Sequence, residues 1–184
     1  MAPEPATMSD FTIRAAGPQD SSAVEEMLRG AELPLDGLRD QFGDSYALAE
    51  TDTGLIGVVG IELYGDYGLL RSAVVLPEWR GKGVGEALTR DRIDWSRRRG
   101  LHALYLLTTT AAEYFPRFGF MAVDRGLAPN GIRSSREFSE ACPSSAAFMM
   151  LVLREEAFTS LTEEVAIMLG ARDRVPGDIP RSKA

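Results

Sequence analysis

A glycine-rich run in the middle of the chain has the residue types and spacing of an anion-binding turn. The apolar residues 73–77 are typical of a strand, residues 80–85 contain three glycines, one arginine and one lysine, and a helical pattern follows from Gly83 to Arg99. The first N–H groups of a helix lack intrahelical partners and lie at the positive end of its dipole, so such a turn can bind a phosphate. The spacing matches neither the nucleoside-triphosphate loop nor the dinucleotide fingerprint, and a purely structural turn stays open as the alternative.

The elements around this turn predict a mixed α/β arrangement. Runs of alternating or apolar residues predict strands, and the breaks at 52–54 and 65–68 predict hairpin turns and hence an antiparallel meander. Apolar residues at helical spacing predict helices before and after the meander. The predicted strands are 11–15, 46–50, 55–64, 68–76, 102–108, 120–123 and 146–153, and the predicted helices are 20–31, 35–42, 83–99, 111–117 and a turn near 134–140.

We expect one domain over residues 11–153, with a flexible leader at 1–10 and a C-terminal segment at 154–184. The C-terminal segment contains a capping box at Ser160 and Glu163, followed by an apolar stripe and then a tail predicted to be disordered. The stripe is predicted to pack against the domain or against a second subunit in a homodimer. Its residues are Leu161, Val165, Met168 and Leu169.

The composition predicts a cytoplasmic globular protein. The chain has 184 residues, of which 45% are hydrophobic, and no apolar run approaches the roughly 20 residues that span a bilayer. Residues 1–10 lack the pattern of a secretory signal. The net charge of −7 argues against a nucleic-acid partner, because the polyanion needs a basic face. The single histidine, His102, and the single cysteine, Cys142, exclude a His-rich or Cys-based metal site, so no metal is expected.

Two motifs in the expected order resemble the GNAT N-acetyltransferases. The first is Arg80-x-x-Gly83-x-Gly85 after a strand that ends in Val75-x-Pro77, which is similar to the acetyl-CoA pyrophosphate loop of that family. The second lies in residues 111–120, where a short helix ending in aromatic-x-x-x-Gly-Phe resembles the segment beside the pantetheine and acetyl group. The resemblance covers residues 11–153 and implies a twisted, mostly antiparallel sheet with flanking helices and a splayed strand pair.

By this resemblance the co-substrate is acetyl-CoA. The N–H groups of the glycine-rich turn would hold the pyrophosphate, and the backbone of the preceding strand would pair with the pantetheine arm. Catalysis would then rest on positioning, removal of the ammonium proton and polarisation of the thioester carbonyl by a backbone N–H. The cofactor-binding residues are predicted to be Val74, Val75, Arg80, Gly81, Lys82, Gly83, Val84, Gly85, Phe115 and Phe118.

The chain departs from the family pattern at two catalytic positions. Many members carry a glutamate base on the fourth strand, where this chain has Leu69. Many also carry a tyrosine acid four residues before the Gly-Phe pair, where this chain has Phe115, while the neighbouring Tyr114 is predicted to point elsewhere on the helix. The candidates for proton transfer are Glu62, Glu113 and Tyr114, with bulk water as an alternative acceptor.

Local strings of the sequence resemble two groups of amino-acid acetyltransferases. Residues 106–120 are similar to N-acetylglutamate synthase domains and to the arsenic-resistance N-acetyltransferases, and residues 132–146 resemble the latter more closely. The resemblance implies a small-molecule α-amino acid acceptor, either glutamate or an arsinic or phosphinic analogue of it. Arg71 lies on the same strand face as Leu69 and is predicted to grip an oxyanion of the substrate. The substrate-binding residues are predicted to be Arg71, Ser72, Thr109, Arg133 and Arg136.

Two further functions stay open from the sequence. One is a protein or peptide N-acetyltransferase, which would need an open groove for its acceptor. The other is a non-catalytic acyl-CoA-binding sensor that kept the phosphate-binding turn, an alternative that the apolar residues Leu69 and Phe115 favour.

Overall fold

A seven-stranded sheet forms the centre of the residues that the structure describes. The computed structural model describes residues 11–141 and 143–154. The strands follow the order β1-β2-β3-β4-β5-β7-β6 across the sheet. They are β1 (Thr12–Ala15), β2 (Tyr46–Thr51), β3 (Gly54–Tyr64), β4 (Tyr67–Val75), β5 (Ala103–Thr108), β6 (Met121–Ala122) and β7 (Ala147–Val152), and the α-helices are α1 (Ser21–Gly30), α2 (Val84–Arg98) and α3 (Asn130–Arg133). The predicted leader and the predicted C-terminal stripe lie outside the described residues.

The strand pairing gives the mostly antiparallel sheet that the sequence predicted. The pair β4–β5 is parallel, and the other neighbouring strands described here run antiparallel. Pairing between β4 and β5 extends from Tyr67 opposite Ala103 to Leu70 opposite Leu106 and stops there. Both strands continue beyond that point, β4 to Val75 and β5 to Thr108. The two strands therefore diverge at their carboxyl ends, which confirms the predicted splayed pair.

Helices cover both faces of the sheet. The apolar side of α2, with Val84 and Leu88, packs on one face against a cluster that includes Leu70 and Leu106. On the other face, α1 packs against β2 and β3, and Ile132 of α3 packs against Leu69 of β4. Among the described residues, no helix has the length and apolar character needed to cross a bilayer. The loops at the carboxyl ends of β4 and β5 are thus held between two packed layers.

Several predicted elements are shorter in the structure than the sequence pattern suggested. The helix predicted at 35–42 is one 3-10 turn, Leu38–Asp40, because the left-handed Gly37 precedes it. The helix predicted at 111–117 is also replaced by a 3-10 turn, Phe115–Phe118, which contains Pro116 and ends at the left-handed Gly119. The turn predicted near 134–140 is a π-helical turn, Glu137–Ala141, preceded by α3. Apolar spacing alone did not reveal these interruptions.

A β-bulge bends β4 at the point where it leaves β5. The register between β3 and β4 shifts between Val58 and Gly60, and Ser72 on β4 has a left-handed backbone with φ of 55°. A left-handed residue other than glycine is sparsely populated and is frequently found at functional sites. Strict alternation of side chains, on which the sequence analysis relied, therefore holds up to Arg71 and fails after it.

A tyrosine, a glycine and an arginine lie side by side on three neighbouring strands. Tyr46 of β2 lies opposite Gly60 of β3, and Gly60 lies opposite Arg71 of β4. The Tyr46 ring lies directly over Gly60, since a Cβ added to Gly60 would be 2.2 Å from the ring carbon Cε1. The absence of a side chain at position 60 thus allows the tyrosine to extend across the sheet towards Arg71.

We expect Gly60→Ala to destabilise the protein by about 1–3 kcal/mol, because the new methyl group would overlap the buried Tyr46 ring. The measurement is the free energy of unfolding in urea. The control is Gly30→Ala at the end of α1, where a Cβ would meet nothing within 4 Å. Equal stability of the two variants would contradict the close packing of Tyr46 on Gly60.

Candidate functional site

A cleft opens between the diverging ends of β4 and β5 and the start of α2. Its volume is about 380 Å³. Apolar side chains and backbone atoms make up most of its lining, and the side chains of Tyr114, Arg80 and Arg117 complete it. The lining residues are Val59, Ala73, Val74, Val75, Arg80, Gly81, Gly83, Gly85, Glu86, Thr89, Ala111, Tyr114, Phe115 and Arg117.

The glycine-rich turn presents unpaired N–H groups to this cleft. The N–H groups of residues 81–85 make no hydrogen bond within the described part of the chain. Gly81 and Gly83 are left-handed, with φ of 75° and 84°, and nothing lies within 4 Å of the Cβ position at either. Because Gly83 is the N-cap of α2, the free N–H groups lie at the positive end of the helix dipole. The turn therefore has the geometry of a phosphate cradle.

Two details of the predicted cradle need correction. The backbone N–H of Arg80 donates to the Pro77 carbonyl, so the cradle begins at Gly81 rather than at Arg80. The Lys82 ammonium lies 4.8 Å from the centre of the Trp79 ring, and Lys82 does not line the cleft. The side chain of Val84 is buried in the core, so this residue can contribute only its N–H.

The edge of β4 that faces the cleft has no strand partner. Arg71, Val74 and Val75 pair with β3 on one side, and residues 71–75 have no partner in β5 on the other. The Nε of Arg80 donates to the Val75 carbonyl at 3.1 Å, which ties the turn to the strand. An extended ligand with amide groups could pair with this edge as an added strand would.

Tyr114 points into the cleft, contrary to the sequence prediction. Its hydroxyl lies 3.2 Å from the Cβ position of Gly85, because the 3-10 turn rotates the residue towards α2. Burial raises the pKa of this hydroxyl, so Tyr114 holds its proton at neutral pH. Phe115 lines the cleft as predicted for a cofactor contact, whereas Phe118 does not and instead packs against the Tyr114 ring.

Arg71 is buried at the centre of an ion cluster rather than open to the cleft. Its guanidinium pairs with Glu62 and donates to the carbonyls of Asp36 at 2.6 Å and Pro34 at 3.1 Å. Its Nε lies 3.2 Å from Glu137 Oε2, and the residue is 3% exposed. The expectation of a free guanidinium is therefore wrong for this conformation, and a substrate oxyanion could bind Arg71 only by replacing one of these partners.

The two carboxylates that the sequence nominated as bases lie in different surroundings. Glu62 is 3% exposed, and both of its oxygens are engaged, one by Arg71 and the other by the Tyr64 hydroxyl at 2.7 Å. Glu113 is exposed and lines a second hollow beside the first cleft, together with Arg80 and Arg117. The structure does not bring these two candidates together.

A further buried carboxylate, Glu137, was missed by the sequence analysis. Glu137 is 8% exposed, and its Oε2 has no hydrogen-bond partner among the described residues. Burial raises its pKa to about 7, with Arg71 opposing the rise and Glu62 adding to it. No spacing in the sequence identifies this residue, because its partners are on β3 and β4.

The remaining predicted substrate residues are spread over several places. Arg133 is exposed and fixes its own loop by donating to the carbonyls of Gly126 and Ala128. The Ser72 hydroxyl accepts from Arg71 Nε at 3.2 Å, and Thr109 lines the hollow that contains Glu113. Arg136 makes no ion pair with any residue that the structure describes, and it lines a cavity of about 210 Å³. That cavity is lined by Gly37, Asp40, Gln41, Glu62, Tyr64, Ser134, Ser135 and Arg136.

Other residues of the first cleft were not predicted. Glu86 and Thr89 lie on α2 one and four residues after Gly85, and helical spacing could have identified Thr89 as a neighbour of the turn. Arg117 lies over the Tyr114 ring, with its guanidinium carbon 4.5 Å from the ring centre. Within residues 11–141 and 143–154, no group of histidine, cysteine and acidic side chains could hold a metal ion.

The sequence of the chain is similar to the sequences of known acetyltransferases. The model of the acetyltransferase (GNAT) family matches residues 11–120. The aminoglycoside N(6')-acetyltransferase type 1 of Stenotrophomonas maltophilia is 30% identical over 110 residues, which cover 50% of this chain and 72% of that protein.

Structure comparisons give the same fold. The N-acetylglutamate synthase of Neisseria gonorrhoeae, complexed with coenzyme A and L-arginine, is 22% identical with a TM-score of 0.65 over 78% of this chain and 33% of its own. A GNAT-family acetyltransferase of Staphylococcus aureus is 16% identical with a TM-score of 0.62 over 78% of this chain and 99% of its own. The chain thus spans about a third of the synthase and nearly all of the Staphylococcus protein. At these identities the likeness establishes the fold.

Proposed function

The chain belongs to the acetyltransferase (GNAT) family, and from this premise we propose that it transfers the acetyl group of acetyl-CoA to the amino nitrogen of a small molecule. The observation that carries the proposal is the cradle of free N–H groups at residues 81–85 beside the unpaired edge of β4. The cradle suits a pyrophosphate, and the strand edge suits an arm that contains amides. When bound, acetyl-CoA supplies an activated acetyl thioester.

The residues around the cleft have distinct parts in this proposal. The backbones of Val74 and Val75 hold the pantetheine arm, and Phe115 forms the apolar wall beside it. Tyr114 keeps its proton at neutral pH and donates it to the departing thiolate. Holding the acceptor amine close to the thioester supplies most of the rate increase, as in other reactions between two bound partners.

For the acceptor, we propose a small anionic amino acid. Arg136 is an exposed guanidinium at a cavity of about 210 Å³, a size that suits a small molecule better than a peptide. A planar guanidinium pairs well with a carboxylate, an arsinate or a phosphinate. The resemblance of residues 132–146 to the arsenic-resistance N-acetyltransferases supports an arsenic- or phosphorus-containing glutamate analogue, and hence a role in detoxification.

A cationic acceptor is a second candidate. Four carboxylates line the two adjoining cavities at this end of the sheet, and the Stenotrophomonas relative is named for an aminoglycoside. These carboxylates are Glu25, Asp36, Asp40 and Glu62. A polyamine or an aminoglycoside would place its ammonium groups among them.

The acceptor class can be tested by the release of CoA thiol from acetyl-CoA in the presence of a panel of amines. The panel contains glutamate, a phosphinic and an arsinic glutamate analogue, an aminoglycoside and a peptide with a free amino terminus. Turnover with the glutamate-type acceptors supports the first candidate, and turnover with the aminoglycoside alone supports the second. Turnover with the peptide alone would overturn the small-molecule proposal.

We expect Arg136→Ala to raise the KM for an anionic acceptor about tenfold, because a charge-assisted pair is lost. The KM for acetyl-CoA should not change, since Arg136 does not line the first cleft. Steady-state kinetics measure both constants. The control is Arg98→Ala, at the exposed end of α2. An acceptor KM that is unchanged by Arg136→Ala would contradict the proposed pairing of Arg136 with the acceptor's anionic group.

A further inference from the structure

The ion cluster around Arg71 has an excess of negative charge. One guanidinium is placed between two carboxylates, Glu62 and Glu137, and each of the three residues is less than 10% exposed. A buried carboxylate without a full set of partners is strongly destabilising. The cluster therefore lacks a hydrogen-bond donor or a cation on the side of Glu137.

Two buried polar atoms in this cluster lack a hydrogen bond of good geometry among the described residues. They are Glu137 Oε2, which has the Arg71 Nε 3.2 Å away as an ion partner, and the Tyr46 hydroxyl, which lies beside the Ser72 side chain. Tyr46 extends over Gly60 towards Arg71, so its hydroxyl reaches the same cluster. Buried polar groups without a hydrogen bond are rare in native proteins, so two of them in one cluster mark a place that could accept a further polar group.

The cluster lies at the point where the strands diverge. Arg71 Nε is 3.2 Å from Ser72 Oγ and 3.2 Å from Glu137 Oε2, so the carboxylate lies beside the bulge of β4. Pairing with β5 ends one residue earlier, at Leu70, and Ala73 and Val74 already line the first cleft. The Glu137 carboxylate is thus close to the edge of β4 that the proposed function pairs with the pantetheine arm of acetyl-CoA.

Among the three carboxylates considered, Glu137 has the properties of a base. Both oxygens of Glu62 are engaged, and Glu113 is exposed in the hollow beside the first cleft. The groups that face Glu137 are Arg71, Glu62 and the Tyr46 hydroxyl, and burial with this surrounding gives it a pKa of about 7. A carboxylate with a pKa near the working pH both accepts and releases a proton readily.

We propose that Glu137 accepts the proton of the acceptor's ammonium group, in a site that the Tyr46 hydroxyl completes. This inference rests on the proposed function. The ammonium gives one proton to Glu137 Oε2, and the neutral amine forms the new C–N bond as the C–S bond of the thioester breaks. Tyr114 donates its proton to the departing CoA thiolate, which leaves as the thiol, and the second proton of the amine nitrogen restores the Tyr114 hydroxyl. Glu137 later releases its proton to solvent.

If Glu137 had a purely structural role, its replacement would give different results. If the carboxylate only fastened the π-helical turn Glu137–Ala141 to Arg71, its loss would lower stability and leave the pH dependence of the reaction unchanged. The replacement Glu137→Gln separates the two roles, since glutamine has the same shape and cannot accept the proton. The variant is expected to fold, because burial already favours the neutral form of this side chain.

The test is the pH dependence of kcat/KM for the acceptor. In the wild type, kcat/KM should fall as the pH drops below about 7, because Glu137 is then protonated. In Glu137→Gln the break near pH 7 should be absent, because kcat/KM should rise about tenfold per pH unit through this range as the amine deprotonates in solution. The kcat at pH 7 should fall about 100- to 1000-fold. Acetyl-CoA affinity should stay the same.

The controls make each outcome decisive. Glu32→Gln, an exposed carboxylate at the end of α1, should keep the wild-type profile, and Glu137→Asp should keep the acidic limb with a lower kcat. A wild-type profile without a break near pH 7, or an active Glu137→Gln that keeps this break, would overturn the inference alone. A wild type that releases no CoA thiol with any acceptor would overturn the proposed function as well.

Discussion

Replacing Gly83 with valine is expected to weaken acetyl-CoA binding at least tenfold, or about 1.4 kcal/mol. Gly83 is left-handed with φ of 84°, and the space around its Cβ position is empty. A valine side chain would fill the space that the phosphate oxygens need and would strain the N-cap of α2. Isothermal titration with acetyl-CoA measures the change.

Gly65→Val is a matched control for the backbone strain that valine causes at a left-handed glycine. Gly65 lies in the turn between β3 and β4, is left-handed with φ of 63°, and likewise has nothing within 4 Å of its Cβ position. Both variants should lose similar stability, but only Gly83→Val should lose affinity. Equal affinity of the two folded variants would show that the turn is not the phosphate cradle.

The second large effect concerns stability. Arg71→Ala is expected to lower the free energy of unfolding by about 3–5 kcal/mol, because it leaves Glu62 and Glu137 buried without their cation. Two carbonyls of residues 34–36 would lose their donors as well. Urea denaturation measures the loss. Arg39→Ala, which removes a surface pair with Glu25, should change stability much less, because solvent screens an exposed pair.

The same variant also tests the sequence prediction for Arg71. An oxyanion clamp predicts a large rise in the acceptor KM with normal stability, and a central ion partner predicts the reverse. Arg71→Lys should recover only part of the stability, because an ammonium cannot donate to all the partners that the planar guanidinium reaches. Normal stability of Arg71→Ala would contradict the ion cluster described here.

The turn that we propose as the phosphate cradle was predictable from the sequence because all its parts are local. The strand, the glycines and the helix that follow one another in residues 73–99 determine where the free N–H groups lie. The mostly antiparallel sheet and the divergence of β4 from β5 followed from the family resemblance over residues 11–153. The structure confirms the sheet and the splayed pair.

The acceptor side was not predictable because its parts are distant in the sequence. Arg71 appeared to be a free cation because its partners Glu62, Glu137 and the carbonyls of residues 34–36 come from three other segments. Tyr114 was placed on the wrong side because the 3-10 turn around Pro116 rotates it relative to an α-helix. Apolar periodicity contains no information about either arrangement.

The most direct test of the central claim is a mass-spectrometric measurement of products after the chain is incubated with acetyl-CoA and a glutamate-type amine. An acetyltransferase gives the N-acetylated amine and free CoA in equal amounts, and Gly83→Val gives both more slowly at low acetyl-CoA. Tight binding of acetyl-CoA without any acetylated product from the whole panel of amines would contradict the claim and would instead identify an acyl-CoA-binding sensor.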